Sequence, residues 1–193
     1  FVRLPAAASS CRALSTSAAS LGNRESTSAS RSRSQKSLEM ADGTVVIPAV
    51  REHKATVIWY HGLGDCGASW ADAFRPYRNE HVKYICPSAP VRAVTLNAGF
   101  RMPAWYDILG LSVNAREDIA GIQEATKNVH ALIDEQVAAG IPADRIIVGG
   151  FSMGGALAIN AGFRYPQKLG GIASLSGFLL RRTELPGNFN ANR

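Results

Sequence analysis

The chain has 193 residues, of which 46% are hydrophobic and 19% are charged, and its formal net charge is +6. These proportions are typical of a globular protein and exclude a chain that is disordered throughout. The positive charge is concentrated in residues 1–39, which carry six basic and two acidic side chains, whereas residues 40–193 carry 15 and 13. Because the main part of the chain is nearly neutral and has no basic stripe, we do not expect it to bind nucleic acid.

The sequence also argues against a membrane-spanning protein and a zinc protein. Its apolar runs are shorter than the ~18 residues that a transmembrane helix needs, so we predict no membrane span. The three cysteines, Cys11, Cys66 and Cys86, are scattered and form no CxxC pair. Since no cysteine–histidine spacing suits zinc either, we expect no metal site and interpret the cysteines as reduced thiols of an intracellular protein.

Residues 1–39 differ in composition from everything that follows. They contain 11 serines and five arginines but only two acidic residues. Such a segment cannot bury enough apolar surface to fold, so we predict a disordered leader over 1–39 and a folded region over 40–193. Two interpretations of the leader stay open. Its composition is that of an organellar transit peptide, but Met40 begins MADGTVVIPAV as an ordinary start would, so the leader could equally be upstream translation.

From Met40 onward, strand-like and helix-like segments alternate. The predicted strands cover residues 44–50, 55–62, 82–90, 145–151 and 170–180, and the predicted helices cover 67–79, 118–139 and 153–165. Pro76 should disturb the first helix, and Asn114 with Glu117 resembles a capping pair at the start of the second. Because several strands are apolar along their whole length, we expect a mostly parallel sheet with helices on both faces, an α/β fold.

One serine lies between glycines where a predicted strand meets a predicted helix. The stretch is GGFSMGG, with Ser152 at its centre. The pattern Gly-x-Ser-x-Gly is weak by itself, but its mechanism requires a strand before the serine and a helix after it, and both are predicted. Gly150 and Gly154 would relieve crowding at the bend, and Gly155 would let the helix pack closely. We interpret Ser152 as a nucleophile; the alternative is a serine in an ordinary strand–helix turn.

A second stretch, HGLGD at residues 61–65, directly follows a predicted strand. Backbone N–H groups that stabilise an oxyanion come from the residue after the nucleophile and from a loop after an earlier strand. Met153 would supply the first donor, and Leu63, which two glycines flank, would supply the second. We interpret His61 as a structural member of this loop instead of the catalytic base. Nothing around Cys66 indicates a nucleophilic thiol.

These motifs together resemble one family. HGLGD, RMPAWYDILGL (101–111), AAGIPADRIIVGGFSMGGALA and QKLGGIASLSGFL are similar, in this order, to the acyl-protein thioesterase and lysophospholipase-like carboxylesterase group of the α/β-hydrolases. The resemblance covers about residues 44–193. Members of the group typically show GFSQGG, so Met153 departs from the pattern. Because its expected oxyanion donor is a backbone N–H, the departure should matter little.

The resemblance implies an activity and its substrates. Members hydrolyse the thioesters of S-acylated proteins and the esters of lysophospholipids or small carboxylic acids, without a cofactor, and are mainly cytoplasmic. A mitochondrial location would follow instead if residues 1–39 were a transit peptide. The resemblance also implies an apolar acyl channel, to which Trp105, Ile108, Leu109 and Phe178 match by position; without it, these four are simply candidate core residues. The sequence contains no signal for an oligomeric state.

The two other members of a catalytic triad are absent from the expected place. In α/β-hydrolases the acid and then the histidine follow the serine along the chain. The 41 residues after Ser152 contain no aspartate and no histidine, and their one acidic residue is Glu184. His53, His81 and His130 look like surface positions. We therefore expect an α/β-hydrolase fold that is incomplete at its C-terminus; the alternative is a non-catalytic acyl-binding or interaction module.

Overall fold

The computed structural model of the protein describes residues 37–112, 114–184 and 192. Most of the predicted leader therefore lies outside the described residues. Its last three residues are described, and two of them belong to the fold: Leu38 pairs with Val46 and Glu39 with Val45 in an antiparallel ladder. Strand pairing thus begins two residues before the boundary predicted at Met40.

The described part of the chain contains a series of strands and three α-helices. The strands are β1 Leu38–Glu39, β2 Val45–Ile47, β3 Ala55–Tyr60, β4 Val82–Cys86, β5 Val91–Val94, β6 Phe100–Pro103, β7 Ile146–Phe151 and β8 Gly171–Leu175. The helices are α1 Gly67–Phe74, α2 Ile119–Ala138 and α3 Met153–Arg164.

Six strands form one mixed sheet in the order β1-β2-β4-β3-β7-β8. The central pairs β4–β3, β3–β7 and β7–β8 are parallel, whereas β1–β2 and β2–β4 are antiparallel. β5 and β6 form a separate antiparallel hairpin. The predicted mostly parallel α/β sheet is therefore confirmed. Parallel strands bring their carboxyl ends to one edge of the sheet, and in open α/β sheets that edge is where ligands bind.

Helices cover both faces of the sheet because the strands are apolar on both faces. On one face, Ile58 and Val148 pack with residues of α2 and α3 such as Val129 and Leu157. On the other face, Trp59 packs with residues of α1 and its neighbours, among them Ala71. Among the described residues, no helix combines the length and the apolar character that crossing a membrane requires.

Two local predictions are corrected by the structure. Asn114 and Glu117 do not cap α2; the cap is Asp118, whose Oδ1 accepts a hydrogen bond from the N–H of Gly121 at 3.0 Å. The hairpin β5–β6 lies in a stretch for which no strand was predicted. The expected disturbance at Pro76 is present, since α1 ends at Phe74 and continues as a 3₁₀ turn.

Candidate active site

Ser152 occupies a sharp bend between β7 and α3. Its backbone has φ 50° and ψ −115°, a conformation that residues other than glycine rarely adopt. The bend is held on both sides: the N–H of Ser152 donates to the carbonyl of Leu175 in β8 at 2.8 Å, and its carbonyl accepts from the N–H of Ala156 at 2.9 Å. Strained residues of this kind persist only where the surroundings fix them, and they concentrate at functional sites. The strand–turn–helix context predicted for Ser152 is present.

The glycines on either side of Ser152 are required by close backbone approach. A Cβ built on Gly150 would lie 2.4 Å from the carbonyl carbon of Gly154. A Cβ built on Gly154 would lie 2.2 Å from the carbonyl oxygen of Tyr60 in β3. Both distances are far shorter than real carbon contacts. The start of α3 therefore lies directly against the end of β3, and any larger residue would force the two apart.

The loop His61–Asp65 lies beside the serine. A Cβ built on Gly62 would be 3.6 Å from Cβ of Ser152, so the backbone of the residue preceding Leu63 lies close to the nucleophile candidate. Gly64 has φ 77°, and its N–H donates to the carbonyl of Pro103 at 2.9 Å, which fixes the far end of the loop. Met153 is buried and begins α3. The first N–H groups of a helix have no acceptor within the helix, so they can serve an anion.

His61 is completely buried, and both ring nitrogens are bound to backbone groups. Nε2 is 2.9 Å from the N–H of Ala89 and must therefore accept, so the proton is on Nδ1, which donates to the carbonyl of Gly62 at 2.7 Å. Burial lowers the pKa of His61, against smaller opposing effects of the Gly62 carbonyl and the Asp65 carboxylate. The ring is therefore neutral and holds the loop, and neither nitrogen is available to take a proton from Ser152.

Trp105 also binds the loop His61–Asp65. Its Nε1 donates to the carbonyl of His61 at 2.9 Å, and its ring lies 4.8 Å from the imidazole and 5.1 Å from the ring of Tyr60. Trp105 is buried beneath the loop and does not line the groove described below. The prediction that it forms part of an acyl channel is thus not supported by its position. The sequence carries no signal for this hydrogen bond, which joins residues 44 positions apart.

The other three predicted channel residues share one groove. Ile108, Leu109 and Phe178 line a cavity of about 780 Å³ between the loop that precedes α2 and the segment that follows β8. Its size is within the roughly 300–1,000 Å³ range of ligand pockets. Leu109 and Phe178 are more than one third exposed, so they are not core residues. Ser152 is not among the lining residues, but Tyr106 is, and its hydroxyl lies 3.4 Å from the carbonyl of Met153, the residue after the serine.

The four histidines have partners away from Ser152. His53 is bonded to the hydroxyl of Thr56, and His81 donates to the carbonyl of Glu52. His130 donates to the carbonyl of Ala161 at 2.8 Å, where it is half-buried between α2 and α3 and packs edge-on against a tyrosine ring. His53, His81 and His130, which were predicted as surface positions, are all partly exposed and partly buried. All four histidines lie within the described residues, and none of these hydrogen bonds joins one of them to Ser152.

Glu184, the one acidic residue after Ser152, forms ion pairs with two arginines. Its carboxylate binds Nε of Arg181 at 2.6 Å and Nη2 of Arg164 at 3.1 Å. The hydrogen bond from Arg181 is the main reason that the pKa of Glu184 lies below its usual value. Across residues 37–112 and 114–184, no three His, Cys, Asp or Glu side chains gather as metal ligands would.

Comparison with known proteins agrees with this geometry. The model of the Phospholipase/Carboxylesterase family matches residues 41–193. The chain is 44% identical over 146 residues to acyl-protein thioesterase 1 of Schizosaccharomyces pombe, covering 75% of this chain and 65% of that protein. It is 49% identical over 140 residues to acyl-protein thioesterase 1 of Yarrowia lipolytica, covering 70% and 62%.

A solved structure shows the same fold. The crystal structure of Zea mays acyl-protein thioesterase 2 matches with a TM-score of 0.66 at 36% identity, over 74% of this chain and 64% of that one. The chain thus spans a little under two thirds of the length of these relatives. Since the family match extends over most of the chain and the serine bend and its neighbouring loop lie within it, the chain belongs to the Phospholipase/Carboxylesterase family of α/β-hydrolases.

Proposed function

We propose that the chain carries the nucleophile and the oxyanion donors of a serine hydrolase that cleaves acyl thioesters and esters. The observation that carries the proposal is the strained bend at Ser152, with the Gly62 backbone against its side chain. A bend of this kind displays a serine hydroxyl at the carboxyl edge of the sheet. The backbone N–H groups of Leu63 and Met153 are the proposed oxyanion donors.

In the proposed reaction, the hydroxyl oxygen of Ser152 attacks the acyl carbonyl carbon while its proton passes to a base. The carbonyl oxygen becomes an oxyanion, which the two backbone N–H groups stabilise; a single donor of this kind is worth about 10²–10³ in rate. The thiol or alcohol then leaves with a proton, and water releases the acid from the acyl-serine. Serine, base and oxyanion donors suffice, so the proposed reaction uses no cofactor.

S-acylated proteins are the proposed principal substrates. The relatives named acyl-protein thioesterase support this class. The groove beside the site has an apolar lining from Ile108, Leu109 and Phe178, which suits an acyl chain. Lysophospholipids and small carboxylic esters are a second proposed class, since their acyl carbonyl reacts by the same steps. We place the activity in the cytoplasm; import and trimming of a reporter fused to residues 1–39 would contradict that location.

The proposal includes a limit on what this chain does alone. Its four histidines bind elsewhere, and no histidine follows Ser152. A serine hydroxyl at its ordinary pKa is a weak nucleophile without an adjacent base. With triad partners removed, only about 10³–10⁴-fold catalysis over water typically survives. We therefore propose that the 193-residue chain by itself is not a competent hydrolase. The alternative is a module that binds acyl chains without cleaving them.

An added base tests this proposal. The wild-type chain, Ser152→Ala and the control Lys127→Ala, which changes an exposed side chain of α2, are compared on a butyrate ester and a palmitoyl thioester, each with and without imidazole. We expect imidazole to raise the rate of the wild type and the control, but not that of Ser152→Ala. Equal hydrolysis rates for the wild type and Ser152→Ala in the presence of imidazole would show that Ser152 is not the nucleophile. If the wild type binds acyl chains but imidazole does not raise its hydrolysis rate, the non-catalytic module is favoured.

A further inference from the structure

The two walls of the acyl groove come from distant parts of the sequence. One wall is the segment that precedes α2, with Ile108 and Leu109, and the other follows β8, with Phe178. The carboxylate of Glu117 joins them. Its two oxygens lie 3.0 and 3.1 Å from the backbone nitrogen of Arg181, so one N–H is shared between both oxygens. A second link, from Arg182 Nη2 to Asn114 Oδ1 at 3.2 Å, is exposed.

The first wall is fixed to α2 by the residue that follows Glu117. The neighbouring residue Asp118 caps α2 through Oδ1 and accepts from the N–H of Asp107 through Oδ2 at 2.9 Å. This one carboxylate therefore ties the groove-lining loop to the first turn of a 20-residue helix. Because the backbone on the C-terminal side of Glu117 is fixed in this way, the position of its carboxylate is set by α2.

The second wall is anchored at Arg181. Its side chain binds Glu184, and Glu184 in turn binds Arg164 at the end of α3. Arg181 itself has φ 52°, a left-handed conformation that turns its N–H toward Glu117. Each wall is thus fixed to a different helix, and the carboxylate of Glu117 spans the gap between the two anchors.

We propose that Glu117 determines which acyl chains the groove accepts, because it fixes the separation of the two walls. The proposal rests on the acyl groove proposed above. A groove of fixed width discriminates between narrow, straight chains and chains that a double bond or methyl branches make wider, whereas walls released from each other adapt to both. Glu117 is one of the residues that line the groove, and Ser152 is not among them. We therefore expect Glu117 to affect which acyl chains bind and not the rate of the chemical step.

Two measurements on the whole chain test this role. The first is the dissociation constants of three fatty acids of different width, hexadecanoate, cis-9-hexadecenoate and the methyl-branched phytanate, for the wild type, Glu117→Ala and Glu117→Gln. We expect Glu117→Ala to narrow the spread of the three constants by about tenfold, because the connected walls can resist a wider chain only with the energy of the charge-assisted hydrogen bond that joins them. Glu117→Gln keeps an amide oxygen as acceptor and should retain most of the spread. Glu124→Ala, which changes an exposed carboxylate of α2, is the matched control.

The second measurement is hydrogen exchange of the backbone amides of residues 178–184, which needs no ligand. The Arg181 amide should be protected in the wild type and should lose that protection in Glu117→Ala. Glu117→Asp keeps the charge but is one methylene short, and it should behave like Glu117→Ala; it also replaces Glu117→Ala if that variant fails to fold.

The outcomes separate the two proposals. Loss of amide protection with an unchanged spread of constants would overturn the specificity role while leaving the acyl groove intact. An unprotected Arg181 amide in the wild type would overturn the connection itself. Failure of all three fatty acids to bind the wild type would instead overturn the proposed acyl groove, and with it the specificity role.

Discussion

Nε2 of His61 accepts a hydrogen bond from the backbone N–H of Ala89 at 2.9 Å, and this contact decides how the histidine behaves. A ring nitrogen that accepts cannot carry a proton, so His61 is held in its neutral form. An imidazolium at this position would set a charged N–H against another N–H in a buried place. The residue that most resembles a catalytic base from its position in the sequence is therefore a structural element of the loop His61–Asp65.

The first prediction concerns pH. Burial lowers the pKa of His61 in the folded protein, whereas in the unfolded chain it is about 6.5. The stability that comes from neutral His61 is therefore complete above about pH 6.5 and is lost as the pH falls toward its lowered folded pKa. At pH 7.5, His61→Asn should lower the free energy of unfolding by about 1–3 kcal/mol, because it leaves buried backbone groups without partners.

Urea unfolding at pH 7.5 and 5.5 checks this prediction. The difference between the wild type and His61→Asn should shrink at the lower pH, where the wild type must bind a proton on unfolding. His81→Asn, at a partly exposed position, is the control and should change little at either pH. A difference that is the same at both pH values would show that protonation of His61 is not linked to folding.

The second prediction concerns the strain stored at Ser152. Its φ of 50° is disfavoured for a residue with a Cβ, whereas glycine adopts it readily. Ser152→Gly should therefore raise the free energy of unfolding by about 1 kcal/mol while removing the nucleophile. Ala131→Gly, at an exposed position in the interior of α2, should instead lower it by about 1 kcal/mol. Thermal unfolding measures both changes in stability. If Ser152→Gly were less stable than the wild type, the contacts of the serine side chain would stabilise the fold by more than its strained backbone destabilises it.

Much of the sheet could be predicted because its strands are apolar and its helices periodic, which are properties of local sequence. The bend at Ser152 could be predicted for the same reason, since glycines mark it. The hairpin β5–β6 could not: its strands VRAV and FRMP are short and partly exposed, and no Asn-Gly or Asp-Gly turn joins them. The hydrogen bond of Trp105 could not be predicted either, because its partner, the carbonyl of His61, is brought to it only by the fold.

The third prediction separates two candidate caps of α2. The sequence favoured Asn114 with Glu117, but in the structure Asp118 accepts from Gly121 and also from Asp107. Asp118→Ala should cost about 1–2 kcal/mol of stability, the usual cost of a lost N-cap, and Asp118→Asn should recover part of it. Asn114→Ala should stay within about 0.5 kcal/mol of the wild type, as surface changes do. If chemical unfolding showed that Asp118→Ala and Asn114→Ala lower the free energy of unfolding equally, the sequence-based assignment of Asn114 as the cap of α2 would be restored.

The last prediction concerns the close approach that places Ser152. A Cβ on Gly154 would lie 2.2 Å from the carbonyl oxygen of Tyr60 and 2.5 Å from that of His61, and both are backbone atoms that no rotamer change can move. Gly154→Ala must therefore shift the start of α3 away from the end of β3. Because this shift would also move Met153 relative to the oxyanion loop, structure and site should be affected together.

We expect Gly154→Ala to lower the free energy of unfolding by about 1–3 kcal/mol, the usual cost of forcing extra volume into a packed interior, despite the better helix propensity of alanine. Gly171→Ala is the matched control, because its Cβ would meet Ile147 Cγ1 at an ordinary 3.8 Å. The imidazole-dependent rate assigned to Ser152 should fall in Gly154→Ala but persist in Gly171→Ala. If Gly154→Ala were as stable and as active as the control, the contact between α3 and β3 could not be what positions the serine.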